Sequence, residues 1–405
     1  MRILIITIFL VTTAFGFFLE YLTYSYRNKP VPENVRDVFD EETYKKNQAY
    51  SMENLRYSII TGVIGTVITL LLMLFNVHHI LYEYISNYSG NIYITSMFIL
   101  GVPLVVTGII SWLLSIYSTF GIEAKYGFNK TTPLTFVLDF LKMSLLILII
   151  MIGLFSLFLL LYENLGDMVF VAFFFVLVAF QLFMTFISPF LIRIMNKLTP
   201  LEDGELKEKI ESMASRTGYK LKGIYMVDAS RRSTKLNAFA TGFGKTKTIG
   251  LYDTLVEKLT TDEIVSILAH EIGHAKKHHI IKSTPLAFIQ MVVCLIAAYF
   301  IMTMPEASQA FGFADVNMAF GLFVMTILIS PLLVVLQIPS NALSRKFEYE
   351  ADAFEKELSG KEVPVSALKK LYRESYGNLT PHPFVVMMEY SHPTLTQRVA
   401  AFEFE

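Results

Sequence analysis

Apolar residues gather into seven long runs, at roughly 3–22, 58–80, 92–116, 143–162, 169–193, 284–303 and 319–339. Each has about the 20 residues that a helix needs to cross a bilayer. Seven membrane-spanning helices are therefore expected, five in a first block (1–193) and two within the remainder (194–405). Between them lies a polar insert with a different rhythm. An amphipathic helix at about 203–216 leads into short β-like runs at "GIYMVD", "LNAFATGF" and "KTIGLY", separated by Gly, Ser and Lys turns. Thr260 with Glu263 forms a capping-box pattern, so a helix should start there. Another helix is expected just after the seventh run, in "NALSRKFEYEADAFEKEL".

Composition agrees with the pattern. The chain has 405 residues, 54% of them hydrophobic and only 17% charged, with mean hydropathy +0.50. That points to an integral membrane protein, because soluble domains carry about 25% charged residues. A net charge of −1 excludes nucleic acid as a partner, since no basic excess could neutralise phosphates. The one cysteine, Cys294, lies in an apolar run, which rules out a disulfide framework or a Cys-based zinc site within one chain.

Loop charge sets an orientation. The connections 81–91, 163–168 and 304–318 carry no Lys or Arg, whereas the alternate set holds Arg27, Lys29, Arg36, Lys45, Lys46, Arg56, Lys125 and Lys130. By the positive-inside rule the charged side faces the cytoplasm and the N-terminus lies outside. Arg2 before an apolar core also fits a signal peptide, but cleavage would strand the basic 24–57 segment outside, so a retained helix is expected.

Candidate chemistry begins at His270, Glu271 and His274, an H-E-x-x-H on the helix that Thr260 starts. Positions i and i+4 share a helix face, so both imidazoles can meet one ion, with Glu271 beside them. Zinc in such a site acidifies water to a pKa of about 7 and polarises a carbonyl, while the glutamate shuttles the proton. His278 lies about 12 Å along a continuous helix from His270, too far for one ion. It and His279 are read as polar residues near the membrane surface. A third ligand is sought among Glu348, Glu350 and Asp352, with Glu348 favoured and Asp352 suited to orienting a ligand histidine.

With these residues in hand, HEIGH (270–274), SRKFEYEAD (344–352) and YSHPTLTQR (390–398) resemble the integral-membrane zinc proteases of the CAAX prenyl protease 1 family. "VPENVRDVFDEETYKKNQAYSMENLRY" and "IEAKYGFNKTT" resemble that family's first and third cytoplasmic loops. The resemblance implies a mostly α integral membrane fold, seven transmembrane helices enclosing a chamber, with a cytoplasmic α/β zinc-protease insert and C-terminal tail. It implies one Zn2+ per chain on His270, His274 and Glu348, with Glu271 as general base. His392 and Arg398 fall on the substrate side, and Asn237 and Ala238 on the strand offered to an extended peptide. Gln397 stands where many relatives carry an acid. Independently, His392 suits the developing charge on a carbonyl oxygen.

The implied activity is removal of the last three residues of prenylated CAAX-type tails, from substrates with a lipidated or membrane-tethered C-terminus and in contact with membrane lipids. The expected location is the ER membrane or a bacterial inner membrane. Two other readings share these residues: a quality-control protease of broad specificity, and a transporter or scaffold with a structural metal. A structural zinc would need no Glu271. Elsewhere, Asp139 and Lys142 are read as a mutual ion pair, and His78 and His79 as solvated residues at the outer end of the second helix.

Overall fold

The apolar runs fold as helices whose ends follow local capping chemistry. The computed structural model describes residues 1–241 and 247–404, with the side chains at 188, 189, 193, 195 and 241 outside that description. Helix Glu41–Leu74 starts at Asp40, whose carboxylate accepts from the Thr43 N–H at 2.8 Å. Helix Ile92–Ile116 starts at Asn91 in the same way and continues as a π-helical segment, Tyr117–Glu123. Helix Pro133–Leu165 opens with Thr132 as cap and a proline at its first turn, where a missing N–H costs nothing.

Among the described residues, five helices are long and apolar enough to cross a membrane, or six if the pair Met318–Leu328 and Ser330–Ser359 is one span. The expected run 143–162 and the first part of 169–193 fall within one apolar stretch, Pro133–Ile187, of 55 residues. That stretch is interrupted after Leu165 by Gly166, at φ +56°.

Three local expectations are corrected. The run 58–80 is not one helix: it ends at Leu74, Asn76 turns left-handed (φ 51°), and a short helix Val77–Ser86 follows. His78 is consequently 2% exposed, its ring 4.1 Å from that of Phe323, on the wall of a cavity of about 520 Å3. The seventh run bends by 52° at Ile329, beside Pro331, which has no N–H to carry the helical ladder through. Asp139 pairs with Arg232 through two hydrogen bonds, of 2.7 and 3.1 Å, and not with Lys142; this ties a membrane helix to the insert.

Among the described residues, the insert holds a four-stranded sheet in the order β1-β2-β4-β3, with β1 Leu198–Pro200, β2 Leu221–Val227, β3 Ala238–Thr241 and β4 Lys247–Tyr252. β2 and β4 run parallel, and both outer strands pair antiparallel. The expected run at 236–243 reaches past the described residues at its end. β3 lies at an edge with Phe239 folded over Gly250 of β4, where a Cβ would sit 2.2 Å from the ring. Ile224, Ile249 and Leu251 of the sheet bury against Ile210 and Met213 of helix Glu205–Arg216, and against Leu268 and Ile272 of helix Thr261–Lys276. Burial of this apolar layer seats the histidine-bearing helix beside the sheet.

The polar segments meet one another. Val35, Val38 and Phe39 from the first loop pack with Leu368, Leu395, Val399 and Phe402 of the tail. Asn47 donates to the Gly377 carbonyl at 3.0 Å, and Lys235 of the insert pairs with Glu123 at 3.2 Å. Arg345 donates to the Val386 and Tyr390 carbonyls, fastening the short helix Pro383–Glu389 to the last long one.

Candidate metal centre and active site

Helix Thr261–Lys276 begins at a complete capping box. Thr260 accepts from the Glu263 N–H, and Glu263 accepts from the Thr260 N–H at 2.9 Å. Ten residues on, His270 and His274 project from one face with their Nε2 atoms 3.1 Å apart. Glu348 comes from helix Ser330–Ser359, with Oε2 3.4 Å from His270 Nε2 and Oε1 3.4 Å from His274 Nε2. The two helices approach closely because Gly273 faces Ala351: a Cβ there would be 3.2 Å from the Ala351 Cα.

This donor set fits a metal ion. Donors at zinc bond lengths of 2.0–2.1 Å in a tetrahedron stand about 3.3 Å apart; the two Nε2 atoms are 3.1 Å apart, and each lies 3.4 Å from one of the two Glu348 oxygens. Glu348 is 4% exposed, and its buried Oε2 accepts no hydrogen bond among the described residues. A buried carboxylate oxygen with no hydrogen bond is costly unless cations face it, and here the Arg398 guanidinium already stands 3.7 Å away. Charge agrees. Burial works against a protonated His270, yet Asp352 and Glu348 hold its pKa up to about 9. Burial likewise opposes an ionised Glu348, and the two histidines and Arg398 hold its carboxyl far below the usual range. The pocket therefore favours positive charge at its centre.

Asp352 sits behind His270, its Oδ1 2.9 Å from Nδ1, which keeps a proton on Nδ1, so an ion that displaces the Nε2 proton would meet a lone pair there. Arg398, on helix Leu395–Glu403, grips both Asp352 oxygens, the Nε bond being 2.9 Å, and its Nη1 is 3.7 Å from Glu348 Oε2. Gln397 closes the capping box with Thr394, so an acid is not required there to pair Arg398.

Glu271, His392, Asn237 and Ala238 line one cavity of about 310 Å3 together with the imidazoles of His270 and His274. Burial raises the Glu271 carboxyl above its ordinary value, as suits a base. His392 is largely exposed at the mouth, with Nε2 3.3 Å from Glu348 Oε1 and Nδ1 bonded to Ser391. The Asn237 side chain accepts from the Ala238 N–H at 2.9 Å, at the start of edge strand β3.

Glu350, considered as a ligand from sequence, lies elsewhere: its Oε2 is 3.2 Å from Nε2 of His279. His279 itself is not a surface residue. The chain turns left-handed at His278 (φ 57°), and His279 opens a new helix, His279–Met302, 4% exposed. Sequence reasoning missed both it and Glu355, which bonds Ser266 at 2.6 Å and lies 3.6 Å from His270. Burial pushes the Glu355 carboxyl up to about 7. The acidic spacing 348, 352, 355 on one helix face could have flagged Glu355. No periodicity announces His279, because the helix breaks before it.

Comparison with known proteins identifies the setting. A family model described as CAAX prenyl protease N-terminal, five membrane helices, matches residues 20–197, and one for peptidase family M48 matches residues 200–404. The CAAX prenyl protease 1 homolog of Oryza sativa subsp. japonica is 32% identical over 92% of this chain and 90% of its own length. CAAX prenyl protease 1 of Saccharomyces cerevisiae is 32% identical over 96% and 92%. The crystal structure of S. mikatae Ste24p superposes with a TM-score of 0.92 at 29% identity, covering 100% of this chain and 99% of that one. Membrane helices, the two family matches and these relatives make the chain an integral membrane metalloprotease of peptidase family M48, alongside the CAAX prenyl protease 1 enzymes.

Proposed function

We propose that the protein is a zinc endopeptidase that removes the C-terminal tripeptide from prenylated CAAX-type tails. One observation carries this reading: the His270–His274–Glu348 cluster and Glu271 open into a cavity bordered by the edge strand β3. An edge strand can receive an extended peptide through backbone hydrogen bonds, which asks little of the peptide's side chains. The names of the rice and yeast relatives supply the substrate class.

His270, His274 and Glu348 would hold one ion per chain, with Asp352 orienting His270. Bound zinc supplies a Lewis acid and lowers the pKa of water to about 7. Glu271 takes the proton of the attacking water and delivers it to the nitrogen of the departing amine as the C–N bond breaks. His392 donates from Nε2 to the oxygen that becomes negative when the carbonyl carbon is attacked. Asn237 and Ala238 position the tail at the start of β3. Arg398 is assigned to holding Asp352 and Glu348 in place, in preference to touching substrate.

Seven spans follow if Pro133–Leu165 and Val169–Met195 cross separately. Their joint run of 55 residues would measure about 80 Å as one helix, against a hydrocarbon core of about 30 Å. The contacts among the first loop, third loop, insert and tail support a shared side for these segments, and loop charge supports the cytoplasm as that side.

The test is purified protein in detergent with a farnesylated CAAX peptide and its unprenylated twin, beside Glu271→Gln and with a zinc chelator. Chelator-sensitive release of the terminal tripeptide, faster with the lipid and lost in Glu271→Gln while metal content stays the same, is the expected result. Equal or scattered cleavage of both peptides would replace this reading with broad-specificity quality control. Bound metal without any cleavage would leave the scaffold reading.

A further inference from the structure

The two metal-binding imidazoles differ in what stands behind them. His270 has the carboxylate of Asp352 at 2.9 Å. His274 has another imidazole: its Nδ1 is 2.8 Å from Nδ1 of His279. That contact needs one donor and one acceptor. If His274 gives its Nε2 lone pair to the ion, its Nδ1 must carry the hydrogen and must donate. His279 Nδ1 must then accept, which places the His279 proton on Nε2, 3.2 Å from Glu350 Oε2. Glu350 in turn has the Lys282 ammonium at 3.4 Å. Every tautomer in the chain follows from the first.

The geometry of His279 is built to hold this state. Its ring stacks on Phe347 at 4.2 Å and 6°, and meets the His274 ring nearly edge-on at 4.9 Å and 77°. Phe347 and Glu350, at i and i+3 on helix Ser330–Ser359, both meet His279. The ring is buried, and it sits at the first helical position after the left-handed turn at His278. Placement here depends on the break between the two helices, not on the periodicity of either.

We propose that His279 and Glu350 form a relay that fixes the tautomer and ring orientation of His274, making His279 a positioning residue for the metal. This rests on the metal site proposed above. Outer partners of ligand histidines typically contribute about 10–100-fold in metal affinity. The relay predicts a specific pattern among variants. His279→Leu removes both bonds. His279→Gln can restore them, its carbonyl oxygen accepting from His274 and its amide donating to Glu350.

The experiment measures the zinc dissociation constant of the full-length protein in detergent by competition with a chromophoric chelator, and the thermal unfolding of the metal-free form. His279→Leu should weaken zinc binding about 10–100-fold, His279→Gln should recover most of that loss, and Glu350→Leu should fall between. The double variant His279→Leu/Glu350→Leu should be no weaker than His279→Leu alone, because both changes break one chain. Zinc affinity in His279→Leu within twofold of the unmodified protein overturns the relay, as does additive loss in the double variant. So does equal loss in His279→Gln and His279→Leu. Should His279→Leu fail to fold, Glu350→Leu decides alone: unchanged zinc affinity overturns the relay. An unmodified protein that binds no zinc overturns the metal site itself, a different failure.

Discussion

Arg398 has an 11% exposed side chain among the carboxylates of Asp352, Glu348 and Glu355. These acids hold its guanidinium protonated against the cost of burial, and it offsets charges that would otherwise face one another. Breaking a buried pair by removing one partner costs about 3–5 kcal/mol. Arg398→Met should therefore lower the unfolding free energy of the metal-free protein by that amount, seen as an earlier thermal transition. Arg398→Lys should recover only part, since an ammonium cannot bond both Asp352 oxygens as a fork. His392 differs because it is exposed and structurally lightly held. His392→Phe should lower kcat about 100–1,000-fold by removing a donor to the oxyanion, with zinc content and melting temperature unchanged. Falling metal content in that variant would instead place His392 among the ligands.

At the scale of elements, two helices must approach closely for three donors to converge. Gly273 is the enabling position, since any Cβ there presses on the backbone of Ala351 and on the Phe354 side chain. Gly273→Val should separate the helices, and zinc affinity should fall more steeply than thermal stability of the metal-free form. The histidine helix is also pinned at its start. Glu263 is 4% exposed and receives Lys370 at 2.8 Å and Ser366 at 2.7 Å besides the Thr260 N–H. Burial alone would raise its pKa, but these donors prevail and depress it below 4.5. A depressed carboxylate contributes stability above its unfolded pKa and loses it as pH falls through the folded value. Glu263→Gln should thus destabilise the protein by about 1.5–3 kcal/mol near neutral pH. The difference should shrink as pH drops below 4.5, which denaturant titrations at several pH values would read.

At the scale of the whole molecule, metal and fold are linked. The proposed ligands come from two helices on either side in sequence of the apolar helix His279–Met302, and Arg398 behind them comes from the tail. A ligand that binds only the folded state stabilises it by about 4 kcal/mol at 1,000 times its dissociation constant. Chelation should lower the melting temperature, zinc should restore it, and Glu271→Gln should show the same shift because Glu271 is not among the donors. A Glu271→Gln protein that lost the zinc-dependent shift would make that residue a ligand.

Much of this protein was legible in its sequence because the relevant signals are local. Hydropathy marks the spanning helices, since a bilayer demands long apolar runs. A capping box and an i, i+4 histidine pair lie within one helix, so the start of that helix and the facing imidazoles follow from spacing alone. Tertiary structure decided what spacing cannot reach. It broke the second and seventh runs at Asn76 and Ile329, where backbone conformation and a neighbouring proline outweigh hydropathy. It sent Asp139 to Arg232, 93 residues away, and not to Lys142 one turn along. It buried His279 behind His274 by breaking the helix at a single left-handed residue. Those outcomes depend on which surfaces meet when helices pack, and a contact between distant residues leaves no period in the chain that forms it.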